Sequence, residues 1–267
     1  MRCVRVASRF MHCANAFFGA ERPLSLLWPD ASRFCWRCGA ELVHPRDEFS
    51  SEDSSFSASF SSGPKSRCDG CCPEPDERGR QFRDAGISEV YCGWSDQGES
   101  AEILRSWKAT PGNEASCLAA GRLLGEMLLG QCEDNFLGRS AIPQENVLVP
   151  VPGWWGRRLS RGFDPPLRLS EGISEILGWP VWCPLVRVHG KRMARTRGAR
   201  RREMSRHLFR MLPELTRKAH RGRNLWLVDD LLASGATSAA ACRLLRQSSP
   251  SRVILVSANV RNRRSGK

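Results

Sequence analysis

Asp229 and Asp230 are adjacent, and two residues later come Ala233-Ser234-Gly235-Ala236-Thr237. Ser234, Gly235 and Thr237 are small and rich in donors, and the Ala-rich run after them is a strong helix former. A loop of this kind entering a helix aims free backbone N–H groups at one point, which suits a phosphate. Two carboxylates beside a phosphate would repel it. They make sense if they face sugar hydroxyls or a magnesium ion. A phosphate cradle next to a diol reader describes a site for a phosphorylated ribose.

Two other groups of residues carry chemistry. Arg157, Arg158 and Arg161 follow the stretch Val149-Pro150-Val151-Pro152, and planar guanidinium groups suit bidentate phosphate contacts. They read either as a second, pyrophosphate-facing loop or as a solvated basic turn. Cys35-Trp-Arg-Cys38-Gly39 and Cys68-Asp-Gly-Cys71, followed by Cys72, have the spacing of zinc-chelating knuckles. Four thiolates from Cys35, Cys38, Cys68 and Cys71 would close a tetrahedral, structural Zn2+ site, and Cys72 is an alternative to Cys71. Between the pairs, eight of the fourteen residues from Ser50 to Gly63 are serine, the composition of a flexible insert.

The elements that must position these residues follow from periodicity. Leu225 to Val228 is an apolar run suited to a strand buried on both faces, which Asp229 and Asp230 bring to an end. Residues 73–83 are charged and proline-bearing and read as a linker. Ile87 to Trp94 is a candidate strand. Helices are expected over Glu99 to Lys108, Glu114 to Leu129 and Pro165 to Leu177. Glu145 to Pro152 reads as a buried strand and Val181 to Val188 as an edge strand interrupted by Pro184. Arg252 to Val260 supplies one more buried strand. Alternating strands and helices imply a parallel sheet covered on both faces, with the ligand at the carboxyl ends of its strands. The domains read as an unassigned leader at 1–34, a zinc-ribbon module at 35–75 and an α/β domain at 85–262.

Net charge is +13, and with five lysines among 41 basic residues the other 36 are arginines. The stretch from Arg187 to Arg223 holds fourteen Lys/Arg against Glu203 and Glu214. It reads as a lid over a polyphosphate, as a nucleic-acid-binding arm, or as a solvated loop. No apolar run approaches the ~20 residues that span a bilayer. The first twenty residues make a poor secretory signal, because Arg9, His12 and Asn15 break their apolar stretch. A cytoplasmic protein is expected.

The run of apolar residues, Asp229-Asp230 and Ser234-Gly235-Ala236-Thr237 resembles the phosphoribosyl pyrophosphate (PRPP) signature of type I phosphoribosyltransferases. Taken with the Cys-x-x-Cys pairs, Val149-Pro-Val-Pro152 and Arg161-Gly162-Phe163, the chain resembles the ComF family. These are phosphoribosyltransferase-like proteins linked to DNA uptake in competent bacteria. The chain departs from the family at Asp164-Pro165, where Asn-Gln is usual, and in the basic stretch. The resemblance implies an α/β fold of the type I phosphoribosyltransferase kind with helices on both faces of a parallel sheet. It also implies a small N-terminal zinc ribbon, and PRPP as ligand with accompanying Mg2+. By that resemblance Asp229 and Asp230 contact ribose hydroxyls or magnesium. Ala233, Ser234, Gly235, Ala236 and Thr237 hold the 5′-phosphate. Arg157, Arg158 and Arg161 contact pyrophosphate, and Lys108 joins them. A non-catalytic protein that senses a nucleotide and engages single-stranded DNA is the rival reading.

Overall fold

The computed structural model describes residues 77–133, 145–188, 208–212 and 220–261. The leader, the cysteine pairs at Cys35, Cys38, Cys68 and Cys71, and most of the basic stretch lie outside these residues. The described residues are built around a four-stranded parallel sheet. Its strands are β1 (Glu89–Ser95), β2 (Asn146–Pro150), β5 (Asn224–Leu232) and β6 (Arg252–Val260), in the order β1-β6-β5-β2. A separate antiparallel pair joins β3 (Leu185–Arg187) to β4 (Phe209–Met211). The helices are α1 (Glu77–Ala85), α2 (Gly98–Trp107), α3 (Glu114–Glu133), α4 (Trp155–Arg161), α5 (Pro165–Leu177) and α6 (Ala236–Leu245).

Alternation along the central strands fills two cores. Leu225, Leu227, Val253 and Leu255 face Ala239, Ala241, Cys242 and Leu245 of α6 together with Phe82 and Ala85 of α1. Trp226, Val228, Ile254 and Val256 face Trp107 of α2, Leu124 and Leu128 of α3, and Leu169 and Ile173 of α5. Burial on both sides accounts for unbroken apolar runs in place of a polar-apolar rhythm. Helices α3 and α5 meet backbone to backbone. A Cβ on Gly172 would lie 2.4 Å from the Leu118 carbonyl oxygen, and one on Gly121 would lie 2.4 Å from that of Leu169. Near the start of the sheet, buried Asn146 accepts hydrogen bonds from Trp226 Nε1 (2.8 Å) and Asn224 Nδ2 (3.2 Å).

Several expectations are corrected. The charged segment read as a linker is helix α1 from Glu77 onward. Arg78, Phe82 and Ala85 recur at helical spacing and are all buried, and this narrow stripe was hidden among arginines. Strand β5 does not end at the acids. Asp229 pairs with Ser257, Leu231 with Asn259 and Leu232 with Val260, so the neighbouring strand carries the ladder past the charges. The loop after Pro152 contains helix α4. Residues 181–184 are not strand proper: Val181 forms one parallel bridge to Leu148, and β3 starts only after Pro184. That short bridge, with Leu148 N–H donating to Pro180 O and Trp182 N–H to Leu148 O, covers the outer edge of β2.

Candidate functional site

The site begins at the carboxyl end of β5. Asp229 is buried, and its carboxylate accepts the Ser238 hydroxyl of α6 at 3.2 Å and the Asp230 backbone N–H at 2.9 Å. Asp230 takes its partner from the other side of the sheet, where Lys108 Nζ stands 3.0 Å from Oδ2. Lys108 is fixed there as the residue that caps α2. The two acids are therefore shifted in opposite directions. Burial, and then the charge of Asp230, pushes the Asp229 carboxyl up to about 8. Burial also acts on Asp230, but Lys108, then the hydrogen bond with Asp229 and then Arg161 outweigh it and hold that carboxyl below its ordinary value. Of the two, Asp230 is therefore the stronger acid and Asp229 the one that holds a proton more readily.

From Leu232 the chain bends through Ala233, Ser234 and Gly235 into α6. Gly235 has φ +78°, a left-handed turn that glycine adopts without strain. The first backbone N–H groups of α6, from Ala236 to Ser238, have no carbonyl within the helix to reach. That of Ala236 lies 3.4 Å from Ser234 Oγ. Amides, hydroxyls and the helix dipole converge where an anion would bind.

A second wall is made by α4. Gly162, at φ +90°, ends this helix, and its N–H bonds to Arg158 O at 2.9 Å. Asp164 closes the segment: its carboxylate accepts the Gly153 N–H with both oxygens, at 3.1 and 3.2 Å, and Arg158 Nε lies 3.5 Å away. Burial raises the Asp164 pKa, and that backbone contact and Arg158 oppose the rise. The three predicted arginines thus divide. Arg158 braces the loop through Asp164, and Arg157 is exposed. Arg161 is half-buried, and its charge acts on Asp230. Burial lowers its pKa and the charge of Asp230 opposes this. Its carbonyl accepts the Gly112 N–H at 3.2 Å, tying α4 to the turn between α2 and α3.

Arg187, at the end of β3, was not singled out from sequence. It is half-buried, with its guanidinium 5.8 Å from the centre of the Phe209 ring. Burial lowers its pKa, the charge of Asp229 acts against that, and Arg157 adds to it. Its charge is thus felt by the acids and by α4 alike. It is one of fourteen basic residues between 187 and 223, and only the β3–β4 pairing sets it apart. Ser238 and Asp164 were missed for a related reason: a serine in a helix and an aspartate before Pro165-Pro166 have no distinctive spacing.

Three cysteines among the described residues belong to the packing, and a fourth, Cys183, is exposed. Cys92, Cys117 and Cys242 are buried, and burial pushes the Cys242 thiol up to about 12, which leaves it inert. Among the described residues no group of three or more His, Cys, Asp or Glu side chains is placed to hold a metal ion. Nor is any helix among them long and apolar enough to cross a membrane. Neither a family model nor a curated protein matches the chain.

Proposed function

We propose that this chain is a PRPP-binding, phosphoribosyltransferase-like protein of the ComF type, with a sheet of the type I phosphoribosyltransferase kind. The observation that carries the reading is one rim of the parallel sheet. There an ionised Asp230 held by Lys108, a glycine turn into the N-terminus of α6, and Arg161 of α4 are gathered. In this reading the amides of residues 233–237 and the hydroxyls of Ser234 and Thr237 grip the 5′-phosphate. Asp229 and Asp230 address the ribose hydroxyls or the magnesium that accompanies PRPP. Their all-oxygen donor set suits that ion, which keeps several waters and needs only one or two carboxylates beside phosphate oxygens. Arg161, with Arg157 and Arg187, offsets the charge of the pyrophosphate.

The reaction would break the bond from the anomeric carbon to pyrophosphate and form one to the acceptor, which gives up its proton. The transition state is oxocarbenium-like, so the protein supplies orientation and charge complementarity and no nucleophile of its own. Calorimetric titration of PRPP with magnesium tests the reading. The wild type should bind, and Asp229→Asn with Asp230→Asn should weaken binding by about tenfold or more, which corresponds to ~1.4 kcal/mol. Absence of heat with the wild type would sink it.

A second reading is favoured by one feature of α4. Trp155 is 62% exposed, its ring centre lies 5.4 Å from that of Trp154, and Arg157 is nearby. Exposed indoles beside arginines suit stacking and phosphate contact with single-stranded DNA. Salt-dependent DNA binding without release of pyrophosphate from PRPP would favour a non-catalytic binding protein.

A further inference from the structure

We infer that Phe82 is a positioning residue for the turn at Gly235, and that α1 serves as a buttress behind the loop of residues 233–237. The inference rests on the reading of that loop as a phosphate cradle. A Cβ built on Gly235 would lie 2.6 and 2.8 Å from Cε1 and Cζ of Phe82 and 3.2 Å from Cγ of Arg78. The ring is therefore packed flush against the backbone of the turn, on the side where any other residue would carry a side chain. Phe82 is 1% exposed and Arg78 2%.

Helix α1 reaches all three parts of the loop's frame. Arg78 Nη2 donates to the carbonyl of Arg261 at 3.0 Å, and the N–H of Arg261 donates to Leu232 O, the last residue of β5, at 2.8 Å. Cys242 of α6 donates its thiol to the Ala85 carbonyl at 3.2 Å. The end of β5, the turn and α6 are thus clamped by one short helix. An anion-binding loop gains affinity when its amides are held in the bound arrangement beforehand, because less freedom is lost on binding. Phe82 supplies that restraint without touching the ligand.

The test uses Phe82→Leu, which keeps an apolar side chain but removes the flat ring. Amide hydrogen exchange should accelerate at residues 234–238 and leave the β6 amides unchanged. Affinity for ribose 5-phosphate should fall about tenfold, while that for inorganic pyrophosphate, held by the arginines, should change by less than about twofold. Gly235→Ala approaches the same contact from the other side. Its loss should shrink when combined with Phe82→Ala, which vacates the space. Uniform acceleration of exchange across α6 and β6, or equal losses for both ligands, would overturn the inference and reduce Phe82 to ordinary core. If the wild type binds neither ligand, the phosphate reading fails, and the exchange comparison still decides whether Phe82 holds the turn.

Discussion

Asp229 and Asp230 are neighbours in sequence with opposite electrostatic fates. Asp229 is raised from 3.8 to about 8, so between those values the folded state holds a proton that the unfolded chain has released. Stability should therefore fall as pH rises through that window and level off above it. Asp230 is shifted downward, so its contribution is present above the unfolded value and lost on acidification. Asp229→Asn should flatten the decline toward pH 8, and urea midpoints measured across the window for both proteins check this. An equal slope in the variant would mean that Asp229 is not the group responsible. From sequence, the types and spacing of these residues suggested a ribose-phosphate pattern, and the structure places both acids at the carboxyl end of a parallel strand. The upward shift of Asp229 was not legible there, because it depends first on burial and then on the charge of Asp230, both set by the fold.

At the scale of elements, the strands were legible wherever apolar runs were long, as in β5 and β6, and α5 has the bounds expected from its periodicity. What sequence hid were elements whose burial is narrow or whose ends are set by neighbours. Helix α1 was lost among its charges, and β5 continued past two aspartates because β6 does. The close approach of α3 and α5 was likewise invisible, since Gly121 and Gly172 become neighbours only in space. That contact yields a contrast. Gly172→Ala should destabilise the protein by about 1–3 kcal/mol through overpacking, even though alanine favours a helix by up to ~1 kcal/mol. Gly130→Ala, where a Cβ would meet nothing within 4 Å, should stabilise it. Thermal unfolding of the two variants measures both, and equal effects would mean the helices have room to part.

For the molecule as a whole, the arrangement of strands matters more than their number. Strand β1 finds its partner in β6, at the far end of the chain, and β2 finds its partner in β5. Among the described strands, only β5 and β6 are joined by a short crossover, through α6, so of these pairs theirs forms at modest loop-closure cost. This pair should form early, as a nucleus the outer strands later join. Leu255→Ala, at a fully buried site in β6, should cost about 2–5 kcal/mol and appear mainly as slower folding. Val90→Ala in β1 should appear mainly as faster unfolding. Denaturant-dependent refolding and unfolding rates separate the two, and the reverse pattern would place the nucleus elsewhere. The same short unit carries the turn at Gly235 and the amino end of α6. If the loop binds phosphate as proposed, a phosphate-bearing ligand present during refolding would act on the rate-limiting step itself, hastening assembly while leaving the unfolding rate little changed.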